Sequence, residues 1–267
     1  MTKLTNVLVC TNFASCLRKK SVIWLKLTAR MLALSTLIGC AYAAPSNTSN
    51  DCAEPGKTSL VCLNSPDGLK LIEESQHKND YWLLSETFTT QETQTLCGVA
   101  SAVTVLNALP IERPIDPEYY PHPYYTQISF FSEAVSKTTS LATVQEIGMT
   151  LPQLQAALLQ QPVEALITHA AKSNVDVFRK ELIRTLGLKS QFLIINFDRR
   201  VLEQAGLGHF SPVAAYHAGT DRVLLMDVAR YKYKPAWVPV KQMFQAMIGT
   251  DSTSKLSRGW MLVQAGP

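Results

Sequence analysis

Apolar positions along the chain follow two rhythms. From Cys97 to Leu109 they recur with helical spacing: Val99, Val103 and Leu106 share one stripe, and Pro110 closes the run. Residues 153–160 and 175–186 also read as helices, whereas 192–197 is a short, dense apolar run that predicts a buried strand. Two further runs, 206–217 and 223–230, flank Gly219-Thr220-Asp221-Arg222 and predict adjacent antiparallel strands joined by a turn. Helices come first and strands later, the order of an α+β fold rather than of units alternating around a parallel sheet. A long loop, 110–125, holds Pro110, Pro114, Pro117, Pro121 and Pro123 and leads to Phe130-Phe131-Ser132-Glu133. Its tyrosines either line a substrate cleft or pack on the surface.

The first residues follow neither rhythm. Residues 1–30 contain Lys3, Arg18, Lys19, Lys20, Lys26 and Arg30 and no acidic residue, and 31–43 form an apolar run ending in Ala41-Tyr42-Ala43. This is the pattern of an export signal. The run falls short of the about 20 residues a membrane-spanning helix needs. Processing has two candidate positions: cleavage after Ala43, or lipidation of Cys40 in the lipobox-like Leu37-Ile38-Gly39-Cys40. Both predict a bacterial exported protein, either periplasmic or held to the membrane as a lipoprotein. Residues 44–50, rich in Ser, Thr and Asn, begin an N-terminal leader, 44–77.

Setting the signal aside changes the charge and the thiol count. The chain has 25 Lys and Arg against 21 Asp and Glu, but six of the basic residues and none of the acidic ones lie in 1–43, so the remainder carries −2. No basic stripe interleaved with aromatics exists, and no nucleic-acid partner is expected. Of six cysteines, Cys10, Cys16 and Cys40 fall in the signal, leaving Cys52, Cys62 and Cys97. In an oxidising compartment Cys52 and Cys62 are the candidates for a disulfide, with Cys97 the odd thiol.

Cys97 opens its helix, where unpaired backbone N–H groups and the positive end of the helix dipole favour a thiolate. Gln91, six residues earlier, can reach the same first turn and supply a second donor to an oxyanion. A nucleophile of this kind needs a base. His209 opens the strand 209–217, and Asp227 lies near the end of the adjacent run, so a carboxylate can orient the imidazole although eighteen positions separate them. His217 competes as the base; Gly206 and Gly208 beside His209 leave its backbone open to a substrate, whereas His217 reads as a solvated strand end.

Three blocks carry a family resemblance: Thr90-Gln91 with Leu96-Cys97-Gly98-Val99-Ala100-Ser101 and Val105-Leu106-Asn107-Ala108-Leu109; then 206–217; then Leu225-Met226-Asp227-Val228-Ala229-Arg230-Tyr231-Lys232-Tyr233 running into Trp237-Val238-Pro239-Val240. The chain resembles the catalytic domain of phytochelatin synthase, within the papain-like cysteine peptidase superfamily. The resemblance implies a two-lobed papain-like α+β fold over 78–267, with a helical lobe carrying the nucleophile and an antiparallel β lobe carrying the His and Asp. It implies Cys97 as acyl acceptor, His209 as general base and acid, Asp227 as its orienting carboxylate and Gln91 as oxyanion donor. The implied reaction is attack on the Cys-Gly amide of glutathione, release of glycine, and transfer of the γ-glutamylcysteinyl group to water or to a second glutathione. No tightly bound cofactor is implied; cadmium or zinc enters as a glutathione thiolate, in the service of metal detoxification.

Glutathione carries two carboxylates and an ammonium, so its site calls for a guanidinium. Arg199 and Arg230 are the candidates for the γ-glutamyl carboxylate or its surrounding network, with Tyr233 and Thr90 at positions the resemblance sets nearby. The chain has no cysteine after Cys97, unlike the cysteine-rich plant members, and a short bacterial-type form weighted towards glutathione cleavage is expected. Two alternatives remain open at this level: an exported protein that binds thiols or metals without turnover, and a general papain-like peptidase. Partners under consideration are glutathione, a lipid anchor at Cys40 and a second copy of the chain as a homodimer.

Overall fold

Local signals set the helices. Ser65 caps α1 (Pro66–Glu74) by accepting the Gly68 N–H at 3.0 Å, and Pro66 sits in the first turn, where a missing N–H costs nothing. Helices α2 (Asn79–Thr87), α3 (Cys97–Ala108), α4 (Glu133–Ser136) and α5 (Leu141–Ile147) follow. Helix α6 (Leu151–Leu158) begins two residues before the expected start, because Thr150 and Gln153 form a reciprocal capping box and Pro152 is tolerated in the first turn. Asn174 caps α7 (Val175–Thr185) through the Asp176 and Val177 N–H groups, and α8 (Val240–Ile248) comes late in the chain.

The computed structural model describes residues 52, 53, 59–188 and 190–266, all within the compact unit Thr48–Pro267. The export signal, both of its processing positions and the segment 44–50 lie outside the described residues. No helix among the described residues is long and apolar enough to cross a membrane.

Seven strands, β1 (Val61–Cys62), β2 (Val163–His169), β3 (Gln191–Asp198), β4 (Gly208–His217), β5 (Arg222–Leu225), β6 (Ala236–Pro239) and β7 (Gly259–Ala265), form one antiparallel sheet in the order β1-β6-β5-β4-β3-β7-β2. Every residue of β3 is buried. Phe192 and Ile194 join the core formed with α1, α2, α3 and α6, while Leu193, Ile195 and Phe197 join the core formed with α7 and α8. Alternate side chains on a strand face opposite sides, so a strand covered on both faces has no polar positions to show. The α+β class is as expected, with Cys97 on the helical side and His209 on the antiparallel sheet. The sheet separates two cores, one on each of its faces.

Helix α3 is buried from Cys97 to Asn107, so it shows no solvent face at all. Its polar residues survive burial because each finds a partner: Ser101 Oγ donates to Cys97 O at 2.7 Å and Thr104 Oγ1 to Ala100 O at 2.8 Å. Asn107 exchanges two hydrogen bonds with the Tyr125 backbone, both 2.9 Å, and so pins the proline-rich loop to α3.

Three expectations are corrected. Residues 59–77, expected as part of the leader 44–77, belong to the fold: β1 pairs with β6, Leu71 and Ile72 enter the core, and Trp237 Nε1 donates to Gly68 O at 3.0 Å. The run 223–230 stops being a strand after Leu225, although Met226 N–H still bonds Pro212 O at 3.0 Å, and the ladder with β4 carries a bulge between Val213 and Ala215. His217 is buried rather than solvated; its Nδ1 accepts the Thr220 N–H at 3.1 Å, and its ring stands edge-on to Trp237.

Candidate active site

Cys97 is the first residue of α3, and Leu96 before it offers no side-chain cap, so the free N–H groups of the first turn remain for other acceptors. The start of β4 lies against this helix end: the Cys97 sulfur is hydrogen-bonded to the His209 side chain and to the Phe210 backbone N–H. On its other side, His209 Nε2 meets Asp227 Oδ1 at 2.9 Å. Asp227 stands just beyond β5, and its Oδ1 also accepts the Ala229 N–H at 2.9 Å. The Phe197 ring stands edge-on to the imidazole, 5.5 Å between centres.

Arg199 completes the set. Its Nη1 donates to Asp227 Oδ2 at 2.7 Å and its Nη2 to Asp227 Oδ1 at 2.9 Å, a two-pronged grip with both partners buried. Two positive and two negative groups thus stand in line, shielded from water. Burial alone pushes the Cys97 thiol up, but His209, its hydrogen bond, the Phe210 N–H and Arg199 outweigh it and bring the thiol below its ordinary value. Burial likewise opposes the imidazolium, as does Arg199, yet Asp227 and the Cys97 sulfur hold it above the ordinary histidine value. Asp227 stays far below the usual carboxylate range because His209 and Arg199 together overcome its burial. Both shifts favour a thiolate–imidazolium pair over the neutral thiol and imidazole.

Gln91 is buried beside this set, and its backbone N–H bonds Val228 O at 3.0 Å, tying the nucleophile loop to the segment after Asp227. Its Nε2 donates to Thr93 O at 2.8 Å and to Tyr231 Oη at 3.0 Å, so both amide protons are engaged. An amide oxygen in that place would face the Thr93 carbonyl oxygen, which fixes the orientation. Gln91 Oε1 is left buried without a partner.

A cleft runs on both sides of the thiol and imidazole, with Gln94, Thr95, Leu207 and Gly208 as shared walls. Cys97 faces one side, together with Asn196, Asp251 and Arg258; Gln91, His209, Gly206, Tyr231 and Lys232 face the other. Gly206 has φ of 119°, which side-chain-bearing residues rarely adopt. At Gly208 a Cβ would collide with the Arg258 guanidinium, so that space holds an arginine and is not simply open. Arg258 is buried, pairs with Asp251 Oδ2 at 3.0 Å and Asn196 Oδ1 at 3.3 Å, and its Nε has no partner.

The four residues expected at the substrate lie elsewhere or are committed. Arg199 borders the cleft, but its terminal nitrogens hold Asp227, because the carboxylate after β5 points back towards the turn that follows β3. Tyr233 is buried with its Oη accepting the Ala205 N–H at 2.6 Å and its ring 5.1 Å from the Arg199 guanidinium. Arg230 lies over the Phe88 ring at 4.9 Å and donates to Phe88 O at 3.2 Å, and Thr90 accepts from Gln127 Nε2 at 2.8 Å. Arg230 and Thr90 line hollows with Phe88, one of them also lined by Tyr119 and Tyr124, away from Cys97. Alternate residues of an extended segment point to opposite sides, so Thr90 need not share the cleft of Gln91, and Arg230 lies in the turn that follows Asp227. Arg258 and Asp251 went unnoticed because they follow α8, far along the chain from Cys97 and His209. Among the described residues no group of three or more His, Cys, Asp or Glu is placed to hold a metal ion.

The chain is 32% identical over 197 residues to glutathione gamma-glutamylcysteinyltransferase 1 of Lotus japonicus, covering 73% of this chain and 38% of that protein. It is 31% identical over 208 residues to the Arabidopsis thaliana protein of the same name, covering 76% and 41%. A glutathione gamma-glutamylcysteinyltransferase of Schizosaccharomyces pombe is 28% identical over 199 residues, covering 73% and 46%. The chain thus spans less than half the length of these relatives. Among solved structures, the peptidase domain of Streptococcus ComA, a bifunctional ABC transporter involved in quorum sensing, matches with a TM-score of 0.40 at 16% identity, over 67% of this chain and 97% of that one. The family described as phytochelatin synthase matches residues 55–260, one stretch containing Cys97, His209, Asp227 and Gln91. By that match, over most of its length, the chain belongs to the phytochelatin synthase family.

Proposed function

We propose that this chain is a glutathione γ-glutamylcysteinyltransferase whose acyl group is carried as a thioester on Cys97. The observation that carries the reading is the buried line Arg199–Asp227–His209–Cys97, which stabilises a thiolate beside its own proton donor. The thiolate attacks the carbonyl carbon of the Cys-Gly amide, and the imidazolium gives its proton to the departing glycine amine. His209, now neutral, then takes a proton from the acceptor, either water or the thiol of a second glutathione, as that acceptor displaces Cys97 from the thioester. Negative charge on the tetrahedral oxygen falls near the first turn of α3, where backbone N–H groups are free; Gln91 adds a donor once Tyr231 moves off its amide.

The Cys97 side of the cleft suits the γ-glutamyl end of glutathione. That end is a zwitterion, and Arg258 and Asp251 offer one charge of each sign next to the nucleophile, with Arg258 Nε unpartnered. The His209 side, with Lys232 and Tyr231, is left for the leaving glycine and then the acceptor. Cadmium or zinc belongs to this scheme as part of a thiolate substrate. Export to an oxidising compartment is supported by the Cys52–Cys62 disulfide, which leaves Cys97 as the free cysteine among the described residues.

The test is product analysis by mass spectrometry after incubation of the purified protein with glutathione, with and without cadmium, beside Cys97→Ala. Glycine and γ-glutamylcysteine, with or without longer (γ-Glu-Cys)n-Gly chains, are expected from the unaltered protein and not from the variant. Glutathione left intact under both conditions contradicts the reading.

A further inference from the structure

Gln204 takes no direct part in the proposed chemistry, yet it is 4% exposed and touches both the N-terminal disulfide segment and the catalytic line. Its Nε2 donates to the Cys52 carbonyl at 2.7 Å, and its Oε1 accepts from Arg199 Nη1 at 2.6 Å. That same Nη1 holds Asp227 Oδ2, and Asp227 Oδ1 holds His209 Nε2. The Arg199 guanidinium lies against two rings, 5.8 Å from the centre of Phe197 and 5.1 Å from that of Tyr233. Gln204 Oε1 gives the guanidinium a second acceptor besides Asp227, and Gln204 is itself held by the carbonyl of Cys52, which the bond to Cys62 fixes to β1.

We propose that Gln204 is a positioning residue for the catalytic base, and that the Cys52–Cys62 disulfide acts on the base through it. Arg199 grips Asp227 with two nitrogens, so the plane of the carboxylate follows the plane of the guanidinium, and the imidazole follows the carboxylate. A site held by buried hydrogen bonds loses rate when its supporting contacts loosen, even with every reacting group still present.

The inference rests on the proposed activity for its meaning but is read independently of it, through the rate of Cys97 alkylation by iodoacetamide across pH, quantified on the Cys97 peptide of the full chain. Gln204→Met keeps the volume and removes both hydrogen bonds. Its Cys97 is expected to alkylate about tenfold more slowly at mildly acid pH, where only a paired thiolate reacts. With glutathione, kcat is expected to fall about tenfold with KM within about twofold. Cys52→Ser/Cys62→Ser, and the unaltered protein reduced with a phosphine, are expected to shift the alkylation profile in the same direction. If Gln204→Met melts well above assay temperature and alkylates at the parental rate at every pH, the inference is overturned. Should that variant not fold, an unchanged profile after complete reduction of the disulfide overturns it instead. Unaltered protein that alkylates as expected but leaves glutathione intact would defeat the proposed activity and leave the positioning role standing.

Discussion

Replacing Asp227 with Asn removes one charge from a line of four, and its effects on rate and stability are separable. In the parent, Asp227 is the group that lifts the His209 imidazolium against burial and against Arg199. A full charge 2.9 Å from Nε2 is worth on the order of 5 kcal/mol even at an effective dielectric of about 20, so the imidazolium loses its main support. The thiolate loses its counter-charge with it, and activity is expected to fall by a factor on the order of 10²–10⁴. Arg199 is meanwhile left buried with its guanidinium facing an amide, which costs about 3–5 kcal/mol of stability. Adding Arg199→Met removes that stranded charge: the double variant is expected to regain most of the lost stability and none of the lost activity. Thermal melts and Cys97 alkylation between mildly acid and alkaline pH measure the two effects. A single variant as active as the parent, or a double variant that recovers activity along with stability, would refute the role given to this carboxylate.

Three further outcomes are expected. Asp80 is buried with Oδ2 unpartnered, and burial pushes its carboxyl up to about 7 despite the Gly187 N–H. Because the folded value lies above the unfolded one, the group lowers stability as pH rises from about 4 to about 7, by on the order of 4 kcal/mol in total, and Asp80→Asn, which keeps the Gly187 bond, should flatten that slope in melts taken across pH. Arg258→Met, and Gly208→Ala through its clash with Arg258, should raise the KM for glutathione by about tenfold or more while Cys97 alkylation stays near the parental rate. Cys52→Ser/Cys62→Ser should lower unfolding stability by about 2–3 kcal/mol, the chain-entropy value for closing so short a loop, measured by denaturant titration.

The grouping of Cys97, His209, Asp227 and Gln91 was legible because each sits in a local pattern: a thiol opening an apolar helix, a Gln just before it, a His and an Asp at matching ends of adjacent apolar runs. The fold class was legible for the same reason. What escaped depends on direction in space. Asp227 stands beyond the end of β5, and the guanidinium of Arg199 is committed to it. Arg230 and Thr90 flank residues that face the cleft and themselves face away. The edge strand β2 has a mixed pattern of buried and exposed positions, and β7 follows a loop with polar residues, so neither stood out as an apolar run. Arg258 and Asp251 read as ordinary surface charges until the chain folds β7 against β3 and brings them beside Cys97.

The central claim is a covalent one: the acyl group of glutathione resides on Cys97 between the two halves of the reaction. The most direct measurement is intact-mass spectrometry of the protein quenched in acid during turnover of glutathione, followed by peptide mapping. A mass gain of one γ-glutamylcysteinyl group on the Cys97 peptide, lost on treatment with hydroxylamine and absent from Cys97→Ala, is the predicted result. Glycine release with no adduct at Cys97, or an adduct on another residue, would contradict it.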